Sequence, residues 1–483
     1  MNAKHFSLLT LLLPAVLACC TTQPGSPHAS DQKVDGGAKA AAPTVEPAAM
    51  NGIWLGTIRG DFLDLRVVFH LSYQDGAWSA SMDSPDQGAR GIPVESVTLE
   101  GPRIVIDVPS IYCRYEGTVQ EGATSIVGRW FSGPQSIALD LERVESVEIV
   151  RRPQDPVPPY PYEEREVRFR NEAAGITLAG TLTMPREAQA VPAVVLVTGS
   201  GSQNRNEEIM NHRPFLVLAD YLTRQGIAVL RYDDRGVQDS GGDPTQATTR
   251  DFAEDALSAF LFLSAQAGVD PSKVGIVGHS EGGLVAPMVA SEHPDVAFIV
   301  ILAANGYRGD ELLLQQSAAI LRTSGATEAQ IGQAASLNRS LYDVVLSEPD
   351  DAKAAARIGE ILAGAGMSED AIDAQVAMLL PPWFRFFLSY DPAEALRKTR
   401  CPVLALNGSL DVQVPADLNL AAIEKALREG GNTRVTTIKL EGLNHLFQHA
   451  KTGAVQEYAQ IEETFAPEAM KIVADWILEQ AAR

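Results

Sequence analysis

The chain of 483 residues is longer than one typical domain, and a hydrophobic content of 45% is enough for more than one packed core. A formal net charge of −22 would repel a phosphate backbone, which argues against nucleic acid as a partner. The acidic balance says little about a small substrate.

The first twenty residues, MNAKHFSLLTLLLPAVLACC, combine a basic start at Lys4, an apolar run from Phe6 to Leu17 and small residues before a cysteine. The run is too short to span a bilayer, so it predicts an export signal rather than a permanent helix. The stretch VLAC resembles the lipobox of bacterial lipoproteins. That resemblance implies cleavage after Ala18, a lipid anchor on Cys19 and, since Cys20 and not aspartate follows, sorting to the outer membrane of a bacterial envelope. A second register ends at Cys20, and an ordinary cleaved signal peptide is the alternative. Residues 20–49 are rich in Ala, Pro, Gly, Thr and Ser and cannot bury a core. They predict a disordered tether with a root-mean-square reach of about 30 Å.

From Trp54 the pattern changes to short alternating runs. In DLRVVFHLS, residues Leu65, Val67, Phe69 and Leu71 share one face, and RIVIDVP and SIALDLERV repeat the period of two between turns such as YQDGAW and QEGATS. Residues 50–148 therefore predict a small all-β domain, a barrel or a sandwich. DSPDQGARGIPV, residues 83–94, reads as a shaped loop. The Pro-rich stretch 149–164 predicts a stiff linker.

The remainder, 165–483, opens on a hairpin over 165–185 and then alternates apolar strands with amphipathic helices: AVVLVTGSG, PFLVLADYLTRQG, IAVLRYDDRG, a helix over Phe252–Gln266, KVGIVGHS, a helix from Gly282, and AFIVILAAN. Such alternation predicts an α/β fold with a mostly parallel sheet covered on both faces and ligands at the carboxyl ends of its strands. There GHSEGG, residues 278–283, fits a G-x-S-x-G elbow with Ser280 as nucleophile, against the simpler reading of a capped strand-to-helix turn. A serine needs a base and a carboxylate that orients it. Downstream, CPVLALNGSLDVQVP and VTTIKLEGLNHLFQ are strands ending in loops that carry Asp411 and His445.

These motifs, with RYDDRG at 231–236 and VTGSGSQNRNEE at 197–208, resemble the serine-hydrolase branch of the α/β-hydrolase superfamily, near bacterial carboxylesterases and serine aminopeptidases. The resemblance spans about residues 165–483 and implies a catalytic triad of Ser280, Asp411 and His445. It also implies an oxyanion hole from the backbone N–H of Glu281 and a second donor after AVVLV. Thr198-Gly199-Ser200-Gly201 stands where many relatives have His-Gly; position favours Ser200, with Gly201 close behind.

Rival assignments are His279 as a structural neighbour of the nucleophile and Asp310 as a substitute acid. His449, four residues after His445, would share a helix face with it for a metal, but no third ligand motif accompanies them. The Glu281 side chain is expected at the surface, with a position facing the pocket as the alternative, and DDRG is expected to tie loops by Arg–carboxylate pairing. Residues 306–398 predict a helical cap, whose Trp383, Phe384, Phe386 and Phe387 either line a substrate pocket or glue cap to core. Cys113 and Cys401 lie one in each folded domain, and nothing in the sequence pairs them. The expected function is a serine hydrolase of carboxylic esters, with a small-molecule ester as partner, no cofactor or metal, and membrane contact through the lipid anchor only. A serine peptidase of aminopeptidase type and a catalytically silent envelope binding protein are the alternatives.

Overall fold

The computed structural model describes residues 45–59, 64–87, 89–132, 135–148 and 150–483. The expected signal, the anchor at Cys19 and the tether up to residue 44 lie outside them. The described chain divides into two compact units that meet in sequence between Arg151 and Arg152. Among the described residues no helix is long and apolar enough to cross a membrane.

The first unit is all β, with strands β1 (Gly52–Ile58), β2 (Leu65–Gln74), β3 (Ala77–Ser84), β4 (Ala89–Pro93), β5 (Ser96–Glu100), β6 (Arg103–Val108), β7 (Cys113–Val119), β8 (Ser125–Ser132), β9 (Gln135–Ala138) and β10 (Leu141–Val144). They form one antiparallel sheet in the order β4-β3-β2-β1-β10-β8-β7-β6-β5, with β9 also on β8. Its hydrogen-bonded path ends at β4 and β5, so among the described residues the sheet is a half-barrel wrapped around one core, not hydrogen-bonded shut. The face predicted from alternation is the buried one: Val67, Phe69 and Leu71 join Trp54, Ile104, Ile106, Tyr115 and Trp130 in one core. Each fully buried Ile or Phe there contributes about 1.5–3 kcal/mol.

The second unit opens with the hairpin β11 (Glu163–Asn171) and β12 (Ile176–Met184). Then follow β13 (Val191–Val197), α1 (Pro214–Arg224), β14 (Ala228–Tyr232), α2 (Thr249–Ser264), β15 (Val269–His279), α3 (Gly282–Glu292) and β16 (Ile299–Leu302). Six helices come next, α4 (Gly309–Thr323), α5 (Glu328–Ser347), α6 (Asp351–Gly364), α7 (Glu369–Leu379), α8 (Pro382–Ser389) and α9 (Ala393–Lys398). The chain closes with β17 (Val403–Gly408), α10 (Ala416–Glu429), β18 (Val435–Leu440) and α11 (Pro467–Ala481). The sheet order is β11-β12-β14-β13-β15-β16-β17-β18, antiparallel as far as the β12–β14 pair and parallel from β14 onward.

Because the parallel strands are apolar on both faces, each face needs a helical cover. The side chains of α2, α3 and α10 pack on one face and those of α1 and α11 on the other. This is the α/β-hydrolase arrangement. The helices between β16 and β17 have their own core of Leu341, Tyr342, Ile358, Leu362, Phe384 and Phe387, which Leu284 of α3 and Val414 after β17 enter.

The stretch read as a linker is held by the second unit from Arg152 onward. Arg152 donates to the carbonyls of Met210, Asn211, Ala459 and Ile461. Gln154 accepts from the Thr464 and Phe465 amides and donates to the Phe465 carbonyl. Among the described residues Cys113 and Cys401 are both free.

Candidate active site

β15 ends at His279 and α3 begins at Gly282, which leaves Ser280 and Glu281 to make the turn. Ser280 has φ 52°, a left-handed conformation that costs a residue with a side chain about 1–2 kcal/mol. Its N–H donates to the Leu302 carbonyl at 2.8 Å and its carbonyl accepts from Gly283 N–H at 2.9 Å. Gly282 has no freedom to carry a side chain, since a Cβ there would lie 2.1 Å from the Val197 carbonyl oxygen. The start of α3 therefore sits tight against the end of β13.

Asp411 follows β17 and is buried. Its Oδ1 accepts from the N–H groups of Gln413 and Val414, both at 2.8 Å, and its Oδ2 accepts from His445 Nδ1 at 2.8 Å. His445 follows β18 in a loop closed by Asn444, whose Oδ1 accepts from the Leu446 and Gln448 amides. Phe447, at φ 59°, stacks on Phe465 with centroids 5.3 Å apart. Among the described residues Ser280 Oγ and His445 Nε2 make no hydrogen bond, while His445 Nδ1 is held by Asp411.

His279 turns away from Ser280. Its Nδ1 donates to Glu207 Oε1 at 2.9 Å and its Nε2 donates to the His445 carbonyl at 2.9 Å. Both partners offer acceptor oxygens, an arrangement that favours a proton on each ring nitrogen. Burial pushes the imidazole pKa down, but the charge and hydrogen bond of Glu207 outweigh it and raise the value above the ordinary one. Glu207 also accepts from Gly199 N–H at 2.7 Å. One bridge thus ties the loop after β13, the elbow and the His445 loop together. Sequence reading missed Glu207, because nothing local in SQNRNEE marks a buried carboxylate.

A Cβ on Gly199 would lie 3.2 Å from Ser280 Cβ, so the loop after β13 runs beside the serine. Gly199 N–H is committed to Glu207, whereas the N–H groups of Ser200, Gly201 and Glu281 have no hydrogen-bond partner among the described residues. The DDRG run anchors this loop from behind. Asp234 accepts from Thr198 Oγ1 and Gln203 N–H, each at 2.9 Å, and Asp233 accepts from Arg205 N–H at 2.8 Å and Nη2 at 2.6 Å. Arg235 pairs with Asp255 at 2.7 Å. Burial holds the Asp234 carboxyl well above the usual range despite those donors.

The Glu281 side chain is not at the surface as expected but is 3% exposed. Its Oε1 accepts from Thr249 Oγ1 of α2 at 2.6 Å and from Trp383 Nε1 of α8 at 2.7 Å. The other aromatics of α8 act in packing: Phe384 and Phe387 lie in the core of the helical insertion, and Phe386 packs on the core of the sheet. Asp310 pairs with Arg308. His449 and His445 do not share a helix. His449 instead bridges Glu463 at 2.9 Å and Glu468 at 3.0 Å, and the described residues contain no group of three side chains suited to a metal ion.

Residues 174–441, more than half of the chain, match the model of the X-Pro dipeptidyl-peptidase (S15) family. The chain belongs to that family. Within the matched S15 region lie Ser280, Asp411, Glu207 and Glu281, while His445 falls four residues past its end. Esterase EstD of Thermotoga maritima is 27% identical over 293 residues, which are 60% of this chain and 62% of that protein, so the chain spans less than two thirds of it. In structure the chain is similar to the esterase Pf2001 of Pyrococcus furiosus, at 15% identity and a TM-score of 0.43 over 69% of this chain and 99% of that one. It is also similar to Est1E of Butyrivibrio proteoclasticus with ferulic acid bound, at 17% identity and a TM-score of 0.41 over 66% of this chain and all of that one.

Proposed function

We propose that the chain is a serine hydrolase of carboxylic esters that works through Ser280, His445 and Asp411. The observation that carries this reading is the convergence at the carboxyl ends of β15, β17 and β18. There Ser280, in a left-handed turn, directly follows His279, whose Nε2 donates to the His445 carbonyl at 2.9 Å, and the buried His445 ring is held at Nδ1, at 2.8 Å, by a fully bonded carboxylate. In this reading Ser280 Oγ attacks the ester carbonyl carbon and passes its proton to His445 Nε2. Asp411 keeps the tautomer and stabilises the imidazolium. The unpaired N–H groups of Glu281 and Ser200 receive the oxyanion, His445 protonates the departing alkoxide, and water resolves the acyl-enzyme by the same steps in reverse. The helical insertion serves as a cap over these strand ends.

The S15 family description supports a second reading, cleavage of X-Pro peptides. An exopeptidase must hold the substrate's terminal ammonium on a carboxylate. Among the described residues, Glu207, Asp411, Asp233, Asp234 and Asp310 already have partners within the protein. Glu281 lines a small pocket with Thr198, Asp234 and Phe252 that does not include Ser280, Asp411 or His445. These commitments support a neutral substrate. The test is a panel at matched enzyme concentration of a p-nitrophenyl ester, an unactivated alkyl ester, and aminoacyl and X-Pro p-nitroanilides. The expected result is higher kcat/KM on both esters than on any anilide; efficient anilide cleavage with the alkyl ester untouched would replace the ester reading by the peptidase one.

We also propose that the protein is exported and anchored in the bacterial envelope through lipid on Cys19, a reading supported by VLAC and the tether composition. Cys19→Ser is expected to move the protein from the membrane to the soluble fraction and remove the lipid mass from its N-terminus. A wild-type protein that is already soluble and unlipidated would overturn it.

A further inference from the structure

We infer that the Glu281 side chain is a positioning residue that couples the seating of the helical insertion on the sheet to the oxyanion hole. The inference rests on the proposed role of the Glu281 N–H as an oxyanion donor. Two donors from separate elements meet on one oxygen, Thr249 Oγ1 of α2 and Trp383 Nε1 of α8. The indole of Trp383 is stacked on Phe387 with centroids 5.3 Å apart, and Phe387 belongs to the buried core of the insertion, so the indole moves with the insertion. Displacing α8 therefore pulls on the residue whose own N–H faces the reacting carbonyl, whereas Thr249 holds the same carboxyl to the body.

The second carboxyl oxygen, Oε2, is buried and has no hydrogen-bond partner. A charge left there without solvent or a partner is costly. Burial accordingly raises the carboxyl pKa, and the hydrogen bonds from Thr249 and Trp383 offset it only in part. Other titratable groups surround it. From the end of β14, Tyr232 and Asp234 line the same pocket, which has about 10 Å³ of room, and a charge on Glu281 disfavours one on Asp234. Asp255 of α2 pairs with Arg235, the His279 ring pairs with Glu207, and α8 presents the indole N–H. A neutral Glu281 leaves the oxyanion site free of an opposing charge. Ionisation at higher pH places a negative charge one residue from the nucleophile and lowers the rate.

The test is the pH dependence of kcat on a p-nitrophenyl ester for the wild type, Glu281→Gln, Glu281→Leu and Trp383→Phe, with fluorophosphonate labelling and a thermal melt for each. The wild type is expected to lose kcat on an alkaline limb that Glu281→Gln lacks. Trp383→Phe is expected to lower kcat about 10-fold with a smaller change in KM, the effect of losing one buried hydrogen bond. Glu281→Leu should lose more activity than Glu281→Gln, which keeps an acceptor for both donors. An alkaline limb unchanged in Glu281→Gln, together with a Trp383→Phe kcat within about twofold of wild type, would overturn the inference. Ser280→Ala run alongside separates the two failures: if it is inactive while these variants behave as wild type, only the coupling fails, and if it retains turnover, the proposed function itself fails.

Discussion

In the N-terminal sheet the buried side chains are apolar apart from Ser84, whereas the second unit buries Glu207, Asp233, Asp234, His279, Glu281, Asp411 and His445 around the ends of β13, β14, β15, β17 and β18. A polar group taken out of water must find partners, and a charged one needs opposite charge as well. The sheet avoids that cost by keeping its core to groups such as Trp54, whose one polar atom donates to the Met50 carbonyl at 2.8 Å. The second unit accepts it where loops have to be held at fixed distances. The contrast separates a region built for packing from one whose buried polar groups are arranged for chemistry.

The sharpest way to break that contrast is to remove charge from the second unit without changing shape. Asp411→Asn keeps the volume but no longer favours the tautomer with a proton on His445 Nδ1. It is expected to lower kcat about 10⁴-fold while moving the melting temperature little, as read by steady-state kinetics and calorimetry; a kcat within tenfold of wild type would remove Asp411 from the chemistry.

The complementary change is Trp54→Ala. It is expected to destabilise the N-terminal sheet by about 3–5 kcal/mol through lost packing and to leave kcat within about twofold. Urea unfolding followed by probes in each unit would check this, and a large loss of kcat would show that the sheet contributes to the reaction.

A smaller effect is the pH dependence of stability through His212, which is buried with Nε2 on the Tyr458 carbonyl and Nδ1 on the Thr464 hydroxyl. Burial, helped by the charge of Arg152, pushes its pKa down to about 4 from an ordinary 6.5. The unfolded chain therefore takes up a proton that the native state refuses between those values. Stability contributed by His212 is present above about pH 6.5, falls by about 3 kcal/mol as pH drops toward 4, and levels off below it. His212→Gln should flatten the unfolding free energy across that window, and an unchanged slope would contradict the assignment.

The strand-end positions of Ser280, Asp411 and His445 were legible because each follows a short strand-forming run, the β-branched VGIV of β15, the apolar VLAL of β17 and the β-branched VTTI of β18, and such runs also outline the parallel sheet. What could not be read were side chains whose burial depends on distant partners. Glu281 lies among glycines and reads as exposed, yet Thr249 and Trp383 cover it from 32 and 102 residues away. Arg152 and Gln154 sit in a proline-rich stretch that reads as a spacer, yet Arg152 reaches carbonyls 58 to 309 residues downstream and Gln154 one 311 residues downstream. Period-two alternation identifies β strands but carries no information on whether the first and last strands pair, which is why it left barrel and sandwich open where the sheet is a half-barrel. The His445 and His449 spacing suggested one helix face, but the bridge between Leu443 and His449 folds that segment back on itself.

The measurement that tests the central claim most directly is active-site labelling of wild type and Ser280→Ala with a fluorophosphonate probe, read by intact-protein mass alongside turnover of a simple ester. The account predicts one probe per wild-type chain, and in the variant neither label nor turnover with an unchanged thermal melt. Label or wild-type turnover persisting in folded Ser280→Ala would contradict it.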